Sequence, residues 1–186
     1  MNAEIDVTGV TLVTKRLILR PWKQSDLEDL YEYASVDGVG QMAGWPPHKS
    51  PEESQRILDM FIAGRRTFAI EHCGKVIGSL GIEKYDEEQI RGFEDMKCRE
   101  IGYVLSKDYW GQGLMPEAVG EVVRWLFEDI GLDVIFCGHF TRNRQSARVQ
   151  EKCGFRHCAD TRYETQTGDV EQTEVNLLTR SEWRGQ

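Results

Sequence analysis

Glu100-Ile101-Gly102-Tyr103-Val104-Leu105, followed by Trp110-Gly111-Gln112-Gly113-Leu114-Met115-Pro116-Glu117, is the stretch on which the fold turns. The first six residues alternate like a strand. After the loop, Ala118, Val122, Leu126 and Ile130 recur at helical spacing, and Val119, Val123 and Phe127 widen the stripe. The two glycines allow a tight turn with exposed N–H groups. Pro116 suits the first helical position, Glu117 sits where the helix dipole favours an anion, and Gly131 is a natural stop. Strand, glycine loop and helix N-terminus together make an anion cradle. No Lys-Ser/Thr pair follows the glycines, which excludes a nucleotide P-loop. Pro116 also stands where the dinucleotide fingerprint has its third glycine. A pyrophosphate on another carrier remains, and so does a tight turn without a ligand.

Outward from that stretch, Thr14 to Pro21 reads as a strand. Ser25-Asp26-Leu27-Glu28 has the form of a capping box before a short helix. Trp45-Pro46-Pro47 is stiff and extended. Ser50-Pro51-Glu52-Glu53 starts a second helix that Gly64 closes. Thr67–Glu71 and Val76–Ile82 are strands joined at Cys73-Gly74-Lys75. The charged segment between Lys84 and Lys97 reads as a surface excursion. Val134–Phe140 is apolar enough for a buried strand, and a helix runs from Arg144 to about Cys153. The last strands flank Thr167-Gly168-Asp169, a hairpin signal. Strand, two helices, three strands, helix, strand, helix and two strands describe a mixed α/β sheet with helices packed on it.

At 186 residues the chain suits one domain, with its core at about 11–178. The N-terminus has no long apolar run, so neither a signal peptide nor a membrane span is expected. Five scattered cysteines without a Cys-x-x-Cys pair fit a reducing cytoplasm. A net charge of −8 argues against nucleic acid and mildly favours a cationic partner such as an amine. Cys137, His139, Cys153 and His157 fit no familiar zinc spacing, and no metal is expected.

The Tyr109-Trp110-Gly111-Gln112-Gly113 loop opening a helix, with Asn143-x-x-Ser146 and Gly154-Phe155 downstream, resembles the GNAT acetyltransferases. Thr14-x-Arg16-Leu17-x-Leu19-Arg20 and Glu100-Ile101-Gly102-Tyr103 narrow the likeness to the branch with the ribosomal-protein-alanine N-acetyltransferases. The resemblance covers nearly the whole chain. It implies a single domain with a twisted, mostly antiparallel sheet whose two central strands splay apart. It implies acetyl-CoA as co-substrate, its pyrophosphate on the backbone of Gln112, Gly113, Leu114 and Met115. The pantetheine arm would lie along Tyr103, Val104 and Leu105, with Asn143 and Ser146 beside it. Gly102 inside the strand suggests a bulge or a close backbone approach, and a bulge would free strand groups for that arm.

Acetyl transfer needs a neutral amine, a polarised carbonyl and help for the leaving thiolate. Many superfamily members place a Tyr seven residues after the Asn as the acid. Here Gln150 stands there, and Gln cannot give up a proton. Ser146 is the alternative acid, or else a serine bonded to helix backbone. Glu100 is the first candidate base and Glu83 the second, although positioning alone can suffice. The N–H of Val104 or Leu105 would polarise the carbonyl. Trp45 and Tyr103 are candidates for the acceptor site. Arg142, Arg144, Arg148 and Lys152 form a basic cluster that either meets the ribose phosphate or is a solvated face. The acceptor is a protein N-terminal α-amine or a small amine, and the protein a monomer or homodimer. A non-catalytic acyl-CoA-binding module is the competing class.

Overall fold

The computed structural model describes residues 1–184. Eight strands form one sheet: β1 (Leu12–Val13), β2 (Ile18–Pro21), β3 (Thr67–His72), β4 (Lys75–Glu83), β5 (Cys98–Leu105), β6 (Val134–Phe140), β7 (Arg156–Glu164) and β8 (Val170–Thr179). Their spatial order is β1-β2-β3-β4-β5-β6-β8-β7. Every pairing is antiparallel except β5 with β6. The helices are α1 (Leu27–Ala34), α2 (Pro51–Gly64), α3 (Leu114–Trp125), α4 (Arg144–Lys152) and α5 (Arg180–Arg184).

Period-two alternation sends side chains to two cores. Phe68 and Ile70 of β3, Ile101 of β5 and Ile135 and Cys137 of β6 meet the buried stripe of α3. On the opposite face, Ala69 and Val76 pack against α1 and α2 with Trp22, Leu30 and Leu58. Val134, Phe136, Val175 and Leu177 form a third cluster on that face. The core reaches further towards the N-terminus than expected: Val7 is buried, and the Cys98 N–H donates to the Met1 carbonyl.

Several local expectations change. Thr14 to Pro21 is not one strand, because the Thr14 hydroxyl accepts from the Leu17 N–H and turns the chain between β1 and β2. Ser25 caps nothing. Asp26 accepts from the Lys23 N–H and, buried, holds Arg20. Ser50 does cap α2, but Glu53 reaches back to the Lys49 N–H, and the left-handed residue ending the helix is Arg65 rather than Gly64. The 84–97 excursion is anchored by buried Tyr85 and Ile90, with Tyr85 and Phe93 packed on Phe136. Gly102 is not bulged; it pairs in register with Gly81.

Candidate active site

β5 and β6 pair from Cys98–Val134 to Ile101–Cys137 and then part. β5 stays with β4, and β6 stays with β8. The Ser106 N–H donates to Ile77 on β4. Strand alternation therefore turns the Val104 N–H towards β4 as well, and the Tyr103 and Leu105 N–H groups into the gap. Of the two expected polarising donors, Leu105 has the right direction and Val104 does not. Indole Nε1 of Trp110 donates to the Leu105 carbonyl at 2.8 Å, which fixes the end of the strand.

The gap opens into a cleft of about 700 Å³ that runs to the glycine loop. Gly111 and Gly113 take φ +76° and +74°, so both need the left-handed freedom of glycine. α3 starts at Leu114, capped by Gly113, which places Pro116 in the first turn rather than at its first residue. Its missing N–H is harmless there too. Among the described residues, the N–H groups from Gly111 to Met115 have no protein partner. That is the state an anion cradle requires.

Arg16, at the β1–β2 turn, holds this loop. Its Nη1 donates to the Gln112 carbonyl at 2.9 Å and its Nε to Glu117 at 2.7 Å. The Thr14 hydroxyl and the Arg16 N–H donate to the same carboxylate. These bonds hold the Glu117 carboxyl below its usual range against the opposing effect of burial. The anchoring was not read from the sequence, although Thr14 and Arg16 belong to the motif that carried the resemblance. The Gln112 side chain turns away, donating to the Asp108 carbonyl.

The splayed strands present different chemistry on their two faces. On the α3/α4 face, the Tyr103 hydroxyl lies 3.0 Å from the Ser146 hydroxyl and also reaches the Ser146 carbonyl. Burial raises the Tyr103 phenol well above its ordinary pKa. Asn143 caps α4, its Oδ1 accepting from the Ser146 N–H, while its Nδ2 reaches the Met42 carbonyl. Gln150, where the superfamily often has Tyr, is buried beneath Ser146.

Glu100 lies on the other face. Burial, with repulsion from Asp86 and Glu83, pushes its carboxyl up to about 7, and the Gly138 N–H partly opposes this. A Cβ on Gly138 would come within 3.2 Å of the Glu100 carboxylate, so glycine there makes room for it. Met42, Ala43, Phe140 and Tyr163 also line the cleft. Glu83, the second expected base, pairs with Arg66 at 2.8 Å.

Trp45 is not on the cleft wall. Its ring packs on Gly40 and lies 5.2 Å from the His48 ring, whereas Met42 and Ala43 of the same loop line the cleft. Tyr103 reaches the cleft from the side of α4. The basic cluster separates: Arg142 pairs with Glu171, while Arg148 and Lys152 line the cleft. Among the described residues, no group of three or more His, Cys, Asp or Glu suited to a metal occurs and no helix is long and apolar enough to cross a membrane.

Comparison with known proteins gives the same outline. An uncharacterised N-acetyltransferase of Bacillus licheniformis is 26% identical over 183 residues, covering 94% of this chain and 99% of that protein. A presumed ribosomal-protein-serine acetyltransferase from Vibrio cholerae shares the fold with a TM-score of 0.76 at 17% identity, covering 94% of this chain and 99% of that one. The microcin self-immunity acetyltransferase MccE, solved in complex with acetyl-CoA and AMP, superposes with a TM-score of 0.75 at 15% identity, over 89% and 93% of the two chains. The family model described as the acetyltransferase (GNAT) domain matches residues 16–156, and the chain belongs to that family of N-acetyltransferases.

Proposed function

We propose that the protein transfers the acetyl group of acetyl-CoA to a primary amine by direct attack in a ternary complex. One observation carries the reading: the parted strands set hydroxyl donors on one face of the gap and a carboxylate of near-neutral pKa on the other. The free N–H groups from Gly111 to Met115 hold the pyrophosphate, and the β5 edge at Tyr103 and Leu105 holds the pantetheine arm. Glu100 takes a proton from the ammonium, directly or through water; a pKa of about 7 suits that task. The amine nitrogen then bonds to the thioester carbon, the Leu105 N–H stabilises the developing oxyanion, the carbon–sulfur bond breaks, and the second proton shed by the nitrogen is passed to the departing thiolate to give the free thiol. The Ser146 hydroxyl donates to the departing sulfur.

The likeness to ribosomal-protein acetyltransferases supports a protein N-terminal α-amine as acceptor. Such an amine has an intrinsic pKa of about 7.7–8.0 and needs little help to deprotonate. A second reading, a small-molecule amine, is favoured by a bridge over the acceptor end. There Gln166 N–H donates to the Gly44 carbonyl at 2.8 Å, and Arg142 and Asn143 hold the carbonyls of Gln41 and Met42. Thiol release from acetyl-CoA, measured with N-terminal peptides and with small amines, tests both. Coenzyme binding without thiol release across the whole panel would favour a non-catalytic acyl-CoA-binding module instead.

A further inference from the structure

Beneath Ser146 lies a chain of hydrogen bonds whose directions are fixed by atoms that can only accept or only donate. The Gly138 carbonyl oxygen accepts, so the Gln150 amide group facing it at 3.2 Å is the NH₂. The same Nε2 lies 3.3 Å from the Ser146 hydroxyl, so it donates there too. Gln150 Oε1 then faces the other way and accepts from Asn176 Nδ2 at 2.6 Å. His139 Nδ1, 3.3 Å from that oxygen, must carry the hydrogen. Above Ser146, the Tyr103 hydroxyl touches both the carbonyl and the hydroxyl of Ser146, and its single hydrogen points at Ser146. Gln150 is 1% exposed and Asn176 9%, so these directions do not relax into water.

The Ser146 oxygen therefore accepts from Gln150, whose NH₂ cannot take the Ser146 hydrogen, and with the Tyr103 hydrogen turned to Ser146 that hydrogen is free to swing into the cleft. We infer that Gln150, held by Asn176 and His139, is a positioning residue that makes Ser146 an obligate donor to the leaving sulfur. The residue that stands in place of the usual tyrosine does not supply the hydrogen; it aims the one Ser146 supplies. The inference rests on the acetyl-transfer reading above.

Gln150→Glu tests it, since it keeps the oxygen for Asn176 and His139 and replaces the NH₂. Gln150→Met is the second variant. Turnover with acetyl-CoA and the best acceptor is measured beside acetyl-CoA affinity, alone and in the Ser146→Ala background. The expected result is a loss of about three- to tenfold in kcat, the scale of one hydrogen bond, with coenzyme Kd unchanged. In the Ser146→Ala background the same change adds nothing, because a residue acting through Ser146 has nothing left to aim. Unchanged kcat in Gln150→Glu, or losses that add in the double variant, would overturn the inference. So would loss of coenzyme binding in both single variants, which would make the role structural. Failure of the wild-type protein to turn over would instead sink the acetyl-transfer reading.

Discussion

Replacing Glu100 with Gln separates the two consequences of its environment, one for stability and one for rate. A carboxyl with a higher pKa in the folded than in the unfolded chain binds its proton more tightly when native. Its contribution to stability is full below about 4.5 and is lost as pH rises through about 7. At about 1.4 kcal/mol per pH unit, the gap between 4.5 and about 7 makes ionised Glu100 destabilising by up to about 3 kcal/mol. Glu100→Gln keeps the shape and removes the ionisation. In urea unfolding, the variant should match the wild type closely at pH 4.5 and exceed it by up to about 3 kcal/mol at pH 8.5. In the same protein, the rise of kcat/KM through pH 7 should disappear and kcat should fall about a hundredfold. A stability difference independent of pH would refute the burial argument. A variant that keeps the rise in kcat/KM through pH 7 would remove Glu100 from the role of base.

Ser146→Ala should lower kcat by about a hundredfold while acetyl-CoA affinity changes little, as steady-state kinetics beside calorimetry will show. Gly113→Val forces a β-branched residue into φ +74° with the Arg16 guanidinium 3.7 Å from its Cβ, so coenzyme Kd should rise about tenfold or more. Arg20→Met leaves Asp26 buried without its bidentate partner and should cost about 3–5 kcal/mol in urea unfolding at pH 7.

The parts legible in the sequence were those whose signal is local. The glycine loop and the α3 stripe each depend on residues a few positions apart, and each stands close to where it was expected. The start of α3 was misread by two residues because Pro is tolerated throughout the first turn, not at one position alone. The turn at Thr14–Leu17 was hidden because a threonine side chain, not a glycine or proline, makes it. Tyr85, Ile90 and Phe93 are too sparse among charges to form a period, yet they bury the excursion against Phe136. The hydrogen-bond chain under Ser146 gathers residues from β5, β6, α4 and β8. Nothing local in the sequence brings Tyr103, His139, Gln150 and Asn176 together. Gly138 was visible as a glycine in an apolar strand; its reason, the room it makes for a carboxylate on the neighbouring strand, was not.

The bridge over the acceptor end is tied through the main-chain oxygens of Gln41, Met42 and Gly44. Any amino acid supplies such an oxygen. Of the two cleft-lining side chains there, Met42 adds a tie of its own, its Sδ accepting from Arg142 Nη1 at 3.3 Å, whereas Ala43 takes no part and can be exchanged without untying the bridge. Preference for one amine over another can drift, or be engineered, independently of the machinery that moves the acetyl group.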